Sequence, residues 1–578
     1  MTLQPLAISP ESRRAALESM TEGELDVLVI GAGVVGAGAA LDAATRGLRV
    51  GMVEAIDYAA GTSSRSSKLF HGGLRYLKQL NFSLVFEALR ERKLMLNTIA
   101  PHLVRPVEFI FPLVTPAYDR AYAGAGIGFY DLLGAGRGVP HHLRHIGKRR
   151  TFDIFPGAKR GKIRGGVLFY EGQVDDARHT MMLARTAASY GALCASSARV
   201  SRYLREGDRV VGARIEDLES GEHVDVRAKH VVNAAGVWTD ELQEILGEKG
   251  KMRVKASKGV HIVVPRDRID SAVGLITETE KSLLFVIPCP WSEDFWIIGT
   301  TDTEWNLDLA HPAASSADLD YILAEVNVML EKPLVRDDIV GVYAGLRPLL
   351  AGESDQTSKL SREHAVVSAA PGLTVIAGGK YTTYRVMAED AIDAAVDGVR
   401  GVEPSRTASV PLVGADGFDD LWEARVRLAN EHRLPVKTIA HLLRRYGSAI
   451  SEIFEIIASE PELGKPLATT DDRYLGAEIR YAVTHEGALH LVDILARRTR
   501  VSIETADRGK SAAVEVADIV AATLGWDDAQ RQREIENYCA RVDAEIESQR
   551  QPDDQTADAA RMGAPGVRGS ADVADVSA

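Results

Sequence analysis

Hydrophobic positions along the 578-residue chain fall into three regimes. Residues 27–30, 50–53, 231–235 and 373–377 are short, largely apolar runs, three of which break directly into glycine. Runs of this kind, each leading into a turn or a helix-forming stretch, predict buried strands linked through helices. Between about 251 and 340 the pattern changes to alternating segments at 259–264, 283–287 and 295–299, which predict a mostly antiparallel sheet. Beyond Pro411 apolar residues recur at helical spacing over 421–430, 436–446, 475–482 and 515–524. Residues 1–22 carry mixed charges and predict an extension or short helix over the core. From about 549 onward Gln, Asp, Ala, Gly and Ser dominate, so burial falls short of the ordering entropy and 549–578 is expected to be disordered.

The first apolar run opens a motif. Gly31-Ala32-Gly33-Val34-Val35-Gly36 follows the strand and leads into the alanine-rich stretch 39–44, with a second strand ending in Glu54 about twenty residues on. This is a dinucleotide fingerprint. Gly31 permits the tight turn, Gly33 lets backbone amides approach a diphosphate, Gly36 lets the helix pack on the strand, and Glu54 accepts hydrogen bonds from a ribose diol. Two further pieces favour FAD over NAD: the strand breaking at Ala235-Gly236, and Gly378-Gly379 before a helix start at 380–385 whose free amides suit the anionic end of a reduced flavin.

Composition limits the remaining choices. Forty-six per cent hydrophobic and 26% charged residues describe an ordinary globular protein of two or three domains. A net charge of −13 argues against a nucleic-acid footprint. Cys194, Cys289 and Cys539 follow no metal-ligand or disulfide pattern, so no metal is expected and a reducing compartment fits. Neither a signal peptide nor an apolar run of about 18 residues is present, which places the protein inside the cell.

Five motifs in order carry a resemblance: TSSRSSKLFHGGLRY at 62–76, KGVHIVVP at 258–265, IIGTTD at 297–302, GLRPL at 345–349 and GGKYTTYR at 378–385. Together they resemble the FAD-dependent glycerol-3-phosphate dehydrogenases, over about residues 24–540 including the Arg497-Arg498-Thr499-Arg500 region. The implied fold is α/β: a Rossmann-type FAD-binding domain of the glutathione-reductase and D-amino-acid-oxidase type, an antiparallel-sheet substrate domain and an all-α C-terminal domain. The corresponding bounds are 23–100, 160–250 and 341–400 for FAD, 101–159 and 251–340 for substrate, and 401–548 for the helical domain, after the extension 1–22.

The resemblance adds Thr62, Ser63, Ser67, Lys68, Ala235, Gly236, Gly379, Thr382 and Thr383 to the cofactor contacts. A phosphomonoester is nearly dianionic at neutral pH, so its pocket needs several cations. That role falls to Arg347, Lys380 and Arg75, with Tyr76 and Arg362 beside them. Removal of the hydroxyl proton of a secondary alcohol suits a histidine, and His261 and His71 are the candidates, with Arg347 at the same end. Ala235 stands where the family often has threonine, and Ser257-Lys258-Gly259-Val260 departs from its usual spelling before the histidine.

The expected reaction is oxidation of sn-glycerol 3-phosphate to dihydroxyacetone phosphate, with electrons passed through FAD to membrane quinone. A glycerol-3-phosphate oxidase using oxygen, or an amine or amino-acid oxidase of the same fold, are the alternatives. A noncatalytic FAD-binding protein is disfavoured by the joint presence of His71, His261, Arg347 and Lys380. The basic stretch from Arg137 to Arg150, following the nearly uncharged 122–133, fits peripheral attachment to the inner face of the cell membrane. The helical C-terminal region offers a surface for a homodimer.

Overall fold

The computed structural model describes residues 5–71, 82–114, 144–247, 252–279, 283–351, 363–564 and 567–568. Arg75, Tyr76, Arg362 and residues 137–143 of the basic stretch lie outside the described residues.

Leu25–Ile30 is nearly all buried and sits inside the first sheet, parallel to His223–Asn233 on one side and Val50–Val53 on the other. Leu193–Ala195 continues the sheet past Val50–Val53, and Leu373–Gly378 past His223–Asn233, both in parallel. His364–Ala370 closes that edge antiparallel, and the hairpin of Ala198–Glu206 and Arg209–Asp217 pairs with the first half of His223–Asn233. Helices Val34–Thr45, Asp176–Ser189 and Tyr384–Ala395 pack together against this sheet. The first and last approach closely because Gly38 has no side chain: a Cβ there would lie 3.1 Å from the Tyr384 ring. The helix Pro10–Thr21 lies over the other side of the sheet, as expected for residues 1–22.

Among the described residues the second sheet has ten strands, eight of them in the order Thr303–Trp305, Val254–Pro265, Phe295–Gly299, Leu283–Pro288, Gly274–Glu278, Arg105–Leu113, Gly165–Gln173 and Leu69–Phe70. Gly341–Leu350 pairs with Val254–Pro265, and Arg144–Gly147 with Gly165–Gln173. Every pairing is antiparallel except that of Gly274–Glu278 with Arg105–Leu113. Gly165–Gln173 and Gly341–Leu350 therefore lie in this sheet, although the sequence bounds put both with the cofactor-binding segments. The correction has a physical cause: a strand buried on both faces shows no alternation, so its local pattern does not name its partner.

Beyond residue 410 the chain is helical, including Val436–Tyr446, Gly476–Thr484, Lys510–Leu524 and Asp528–Ser548. The helix expected over 421–430 is two, Phe418–Glu423 and Arg425–His432, meeting at Ala424. Buried arginines bind this region to the rest. Arg498 holds Asp57 through two bonds of 2.7 and 2.8 Å, and Arg500 pairs with Asp175 and, at 2.9 Å, with Asp176. The arginine motif at 497–500 is thus structural.

The expected disorder from 549 onward is corrected for residues 549–564. Asp554–Arg561 is a helix, capped by the Asp553 side chain, which accepts from the Thr556 amide at 2.9 Å. It is held by electrostatics that composition does not reveal. Lys258 is fully buried, and its ammonium pairs with Asp318 at 2.6 Å and with Asp554. A buried cation needs carboxylate partners, and the segment supplies one of them. Ala557, within the same helix, is fully buried.

Candidate active site

A cavity of about 1020 Å³ runs along the seam between the two sheets and is covered by the C-terminal helices. At one end lie Glu54 and the hairpin residues 198–201. The Glu54 carboxylate accepts the amides of Ala32 at 2.8 Å and Ile56 at 2.9 Å, while burial raises its pKa. Gly31, Gly33, Val34, Thr62, Ser63, Ala235 and Gly236 line the cavity next. The chain turns here because Gly31 has φ +100°, and a Cβ at that position would lie 2.8 Å from the Ala234 carbonyl oxygen. Ser63 Oγ accepts the Val34 amide at 2.9 Å, and Thr62 Oγ1 donates to the Leu346 carbonyl at 2.6 Å, tying the loop to the start of the helix Val34–Thr45 and to the second sheet.

The opposite end gathers Ser67, His71, His261, Arg347, Gly379, Lys380 and Thr382. Antiparallel pairing places His261 opposite Tyr343 and Arg347 opposite Ser257. The His261 ring stacks flat on Tyr343, with centroids 4.8 Å apart and planes 9° apart, and its Nε2 lies 2.9 Å from Ser67 Oγ. Nδ1 is buried and has no hydrogen-bond partner among the described residues. Burial, then the charges of Arg347 and Lys68, hold the His261 pKa well below 6.5, so the ring is neutral at physiological pH. The direction of the bond to Ser67 follows the tautomer of the imidazole, and a neutral ring keeps one nitrogen free of a proton, the state a proton acceptor requires.

The IIGTTD turn orients Arg347: Nη2 donates to Thr300 Oγ1 at 2.9 Å and to the Thr301 carbonyl at 3.3 Å, and Asp302 lies 4.0 Å from Nη1. Gly259 leaves room for it, since a Cβ there would lie 2.5 Å from Arg347 Nη2. The His71 amide donates to Thr382 Oγ1 at 3.2 Å, joining the first and last motifs.

Three expected cofactor contacts do not line the cavity. Gly36 packs against the turn, where a Cβ would come within 1.9 Å of the Gly31 oxygen. Thr383 is buried, its hydroxyl donating to the Lys380 carbonyl at 3.5 Å. Lys68 is corrected most: it is fully buried, paired with Asp176 at 2.6 Å, and sits 4.9 Å over the Tyr343 ring. Burial pushes its ammonium down to about 8 despite Asp176. It supports the ring on which His261 stacks. Sequence reasoning missed Tyr343, Trp238, Arg65, Arg541, Arg561 and Arg568, all but Tyr343 lining the cavity. Arg65 stood within a quoted motif, whereas the C-terminal arginines carried no local signal.

The residues present fit FAD. A volume above the usual range of small-molecule pockets, a glycine turn against a helix start, a fixed carboxylate at one end and a neutral histidine with cations at the other match an elongated dinucleotide with a redox ring. No group of metal-ligating side chains occurs among the described residues.

This fold and cavity define an FAD-dependent oxidoreductase. Residues 26–385 match the family described as FAD dependent oxidoreductase, and 405–531 match the C-terminal domain of alpha-glycerophosphate oxidase. The chain is 56% identical over 563 residues to glycerol-3-phosphate dehydrogenase 2 of Mycobacterium tuberculosis, covering 97% of this chain and 95% of the relative. It is 36% identical to the human mitochondrial glycerol-3-phosphate dehydrogenase, covering 92% and 75%. The glycerol-3-phosphate dehydrogenase of Bacillus halodurans complexed with FAD superposes with a TM-score of 0.76 at 28% identity, covering 92% and 97%. The chain belongs to the FAD-dependent glycerol-3-phosphate dehydrogenase family.

Proposed function

We propose that the protein oxidises sn-glycerol 3-phosphate to dihydroxyacetone phosphate and delivers the two electrons to membrane quinone. The observation that carries this reading is the convergence, at one end of a dinucleotide-shaped cavity, of a neutral histidine and an oriented arginine on adjacent strands. His261 removes the proton of the C2 hydroxyl, with His71 close by at the same end of the cavity. Arg347 and Lys380, with Arg75, Tyr76 and Arg362, hold the phosphate. Bound FAD supplies the acceptor for the hydride leaving C2. Tyr343 and Lys68 keep the imidazole in place from behind.

Among the described residues no helix is long and apolar enough to cross a membrane. Attachment is therefore assigned to the basic surface at the inner face of the cell membrane, where Lys148, Arg149 and Arg150 are exposed at the start of the helix Lys148–Ile154. The match to a glycerophosphate oxidase domain favours one second reading, reoxidation by oxygen with release of peroxide. Anaerobic addition of glycerol 3-phosphate should bleach the flavin. Reoxidation by a soluble quinone analogue should then outrun that by air-saturated buffer. Faster reoxidation by oxygen selects the oxidase, and absence of bleaching rejects both.

A further inference from the structure

The chain beyond the helix Asp528–Ser548 walls part of the cavity: Arg561, Ala564, Val567 and Arg568 all line it. This segment is tied down first to the second sheet. The Gln551 carbonyl accepts the amide of Ser316 at 2.8 Å, at the start of the helix Ser316–Asn327, which packs on that sheet. Asp554 pairs with Lys258 on the strand Val254–Pro265. Ala557 packs in one cluster with Val237 and Leu346, and both of these line the cavity.

Arg568 ties the segment to the other side of the seam. Its Nε donates to Ser197 Oγ at 2.7 Å, and its Nη2 to the two carboxylate oxygens of Asp493 at 2.8 and 3.0 Å. Ser197 lies just past the first-sheet strand Leu193–Ala195, and Asp493 is fully buried. The Arg568 side chain is itself 9% exposed. A charge pair sheltered in this way is screened by salt far less than one on the surface. Arg568 also sits near the ribose end of the cavity: burial raises the Glu54 pKa, and Arg568 is a charge that acts against that rise. Held to the second sheet at Gln551 and Asp554 and to the first-sheet side at Arg568, the segment spans the seam along which the cavity runs.

We propose that this C-terminal segment forms the outer wall of the FAD site, with Arg568 as its latch on Asp493 and Ser197, and that the latch must open before the cofactor leaves. The proposal rests on FAD occupying the cavity and is independent of the substrate and of the electron acceptor. Two consequences follow from linkage. Opening the latch speeds release of FAD, and bound FAD in turn holds the segment down.

The rate at which the loaded protein releases FAD, followed by flavin fluorescence on dilution into an excess of a competing apoflavoprotein, tests the latch. Arg568→Gln should speed release roughly tenfold or more, the scale of a lost charged hydrogen bond, and Arg568→Lys should restore part of the retention. Asp493 keeps Arg497 in these variants, so no buried carboxylate is left unpaired. A chain ending at Ser548 should release FAD at least as fast as Arg568→Gln. It remains able to fold, because Lys258 keeps Asp318 at 2.6 Å and the Ala313 carbonyl at 3.2 Å. Hydrogen exchange gives a second readout: amides of Asp554–Arg561 should exchange more slowly with FAD bound than without it, and Arg568→Gln should shrink that difference. An unchanged release rate in Arg568→Gln would overturn the proposal. Slower release from the shortened chain would overturn it too, since the segment would then compete with FAD for the cavity. Wild-type protein that binds no FAD would reject the cofactor reading together with the latch, whereas normal FAD binding with unaffected variants rejects the latch alone.

Discussion

The three glycines of the fingerprint should respond differently to a single methyl group, because the protein itself crowds only two of them. At Gly36 a Cβ would stand 1.9 Å from the Gly31 oxygen, about 1.5 Å short of ordinary contact, and the obstacle is backbone. At Gly31 it would meet the Ala234 oxygen at 2.8 Å in a left-handed conformation. At Gly33 the backbone is extended, φ −71° and ψ 179°, and the nearest atom is Ser63 Oγ at 3.2 Å, a side chain able to yield a few tenths of an ångström. Gly33→Ala in the apoprotein should therefore cost about 1 kcal/mol, the scale of an altered helix cap. Gly36→Ala should cost about 3 kcal/mol or more, since a closely packed helix and turn must separate. FAD binding should reverse the ranking in severity relative to stability. The methyl at Gly33 occupies the space through which amides reach the diphosphate, so affinity should fall at least tenfold, about 1.4 kcal/mol, in a well-folded protein. Urea unfolding of the apoproteins and flavin fluorescence titration measure the two quantities separately. Gly33→Ala that unfolds as readily as Gly36→Ala, or that retains full FAD affinity, would refute the reasoning.

Arg347→Ala should raise KM for glycerol 3-phosphate by the ~1.5 to 3 kcal/mol of a lost charged hydrogen bond, and affect glycerol far less. A side-by-side comparison of the two substrates checks this. His261→Ala should slow anaerobic flavin reduction about 10²-fold or more with either substrate, measured by stopped flow. Because Arg347 also depresses the His261 pKa, Arg347→Ala should move the acid limb of the rate profile to higher pH. Stability should peak near pH 6.5. His102, His179 and His230 are held by burial at about 3, 3 and 4, so the unfolded chain takes up their protons first as pH falls below 6.5. Each such site removes about 1.4 kcal/mol per pH unit. His490, raised to about 9 by Glu219 and Glu534 against burial, contributes stability fully below 6.5 that is lost as pH rises to about 9. Urea midpoints across pH 4 to 9 test both limbs.

The parts legible in the sequence are those whose chemistry is local. Gly31, Gly33 and Glu54 act within one strand–helix–strand unit, and His261 and Arg347 stood in contiguous motifs, so each could be placed beside the cavity from spelling alone. Lys68 shows the limit. It is part of a quoted motif, yet its positive φ of 60° and a carboxylate more than a hundred residues away turn it into the core. Gly165–Gln173 and Gly341–Leu350 fall within the bounds given to the cofactor-binding segments yet pair in the second sheet, because strand partners are chosen by register over long separations. The Asp554–Arg561 helix escaped notice because its anchors are two ion pairs, Asp554 with buried Lys258 and Arg561 with Glu545, and one small buried side chain, Ala557, all invisible to any window of hydrophobicity.

The ladder between Val254–Pro265 and Gly341–Leu350 runs without a break from Val254 opposite Leu350 to Val263 opposite Gly341. With the proposed roles of His261 and Arg347, that ladder is a ruler for the substrate. The separation between the group that takes the proton and the group that grips the anion is counted in rungs, at about 3.4 Å per residue, and not set by rotamers. Side-chain exchange can retune charge or polarity at either mark but cannot move the marks apart. Inserting one residue would turn one of the two side chains to the opposite face. A longer phosphorylated alcohol would therefore be reached only by rebuilding the sheet, which makes molecular length the most conservative property of this site.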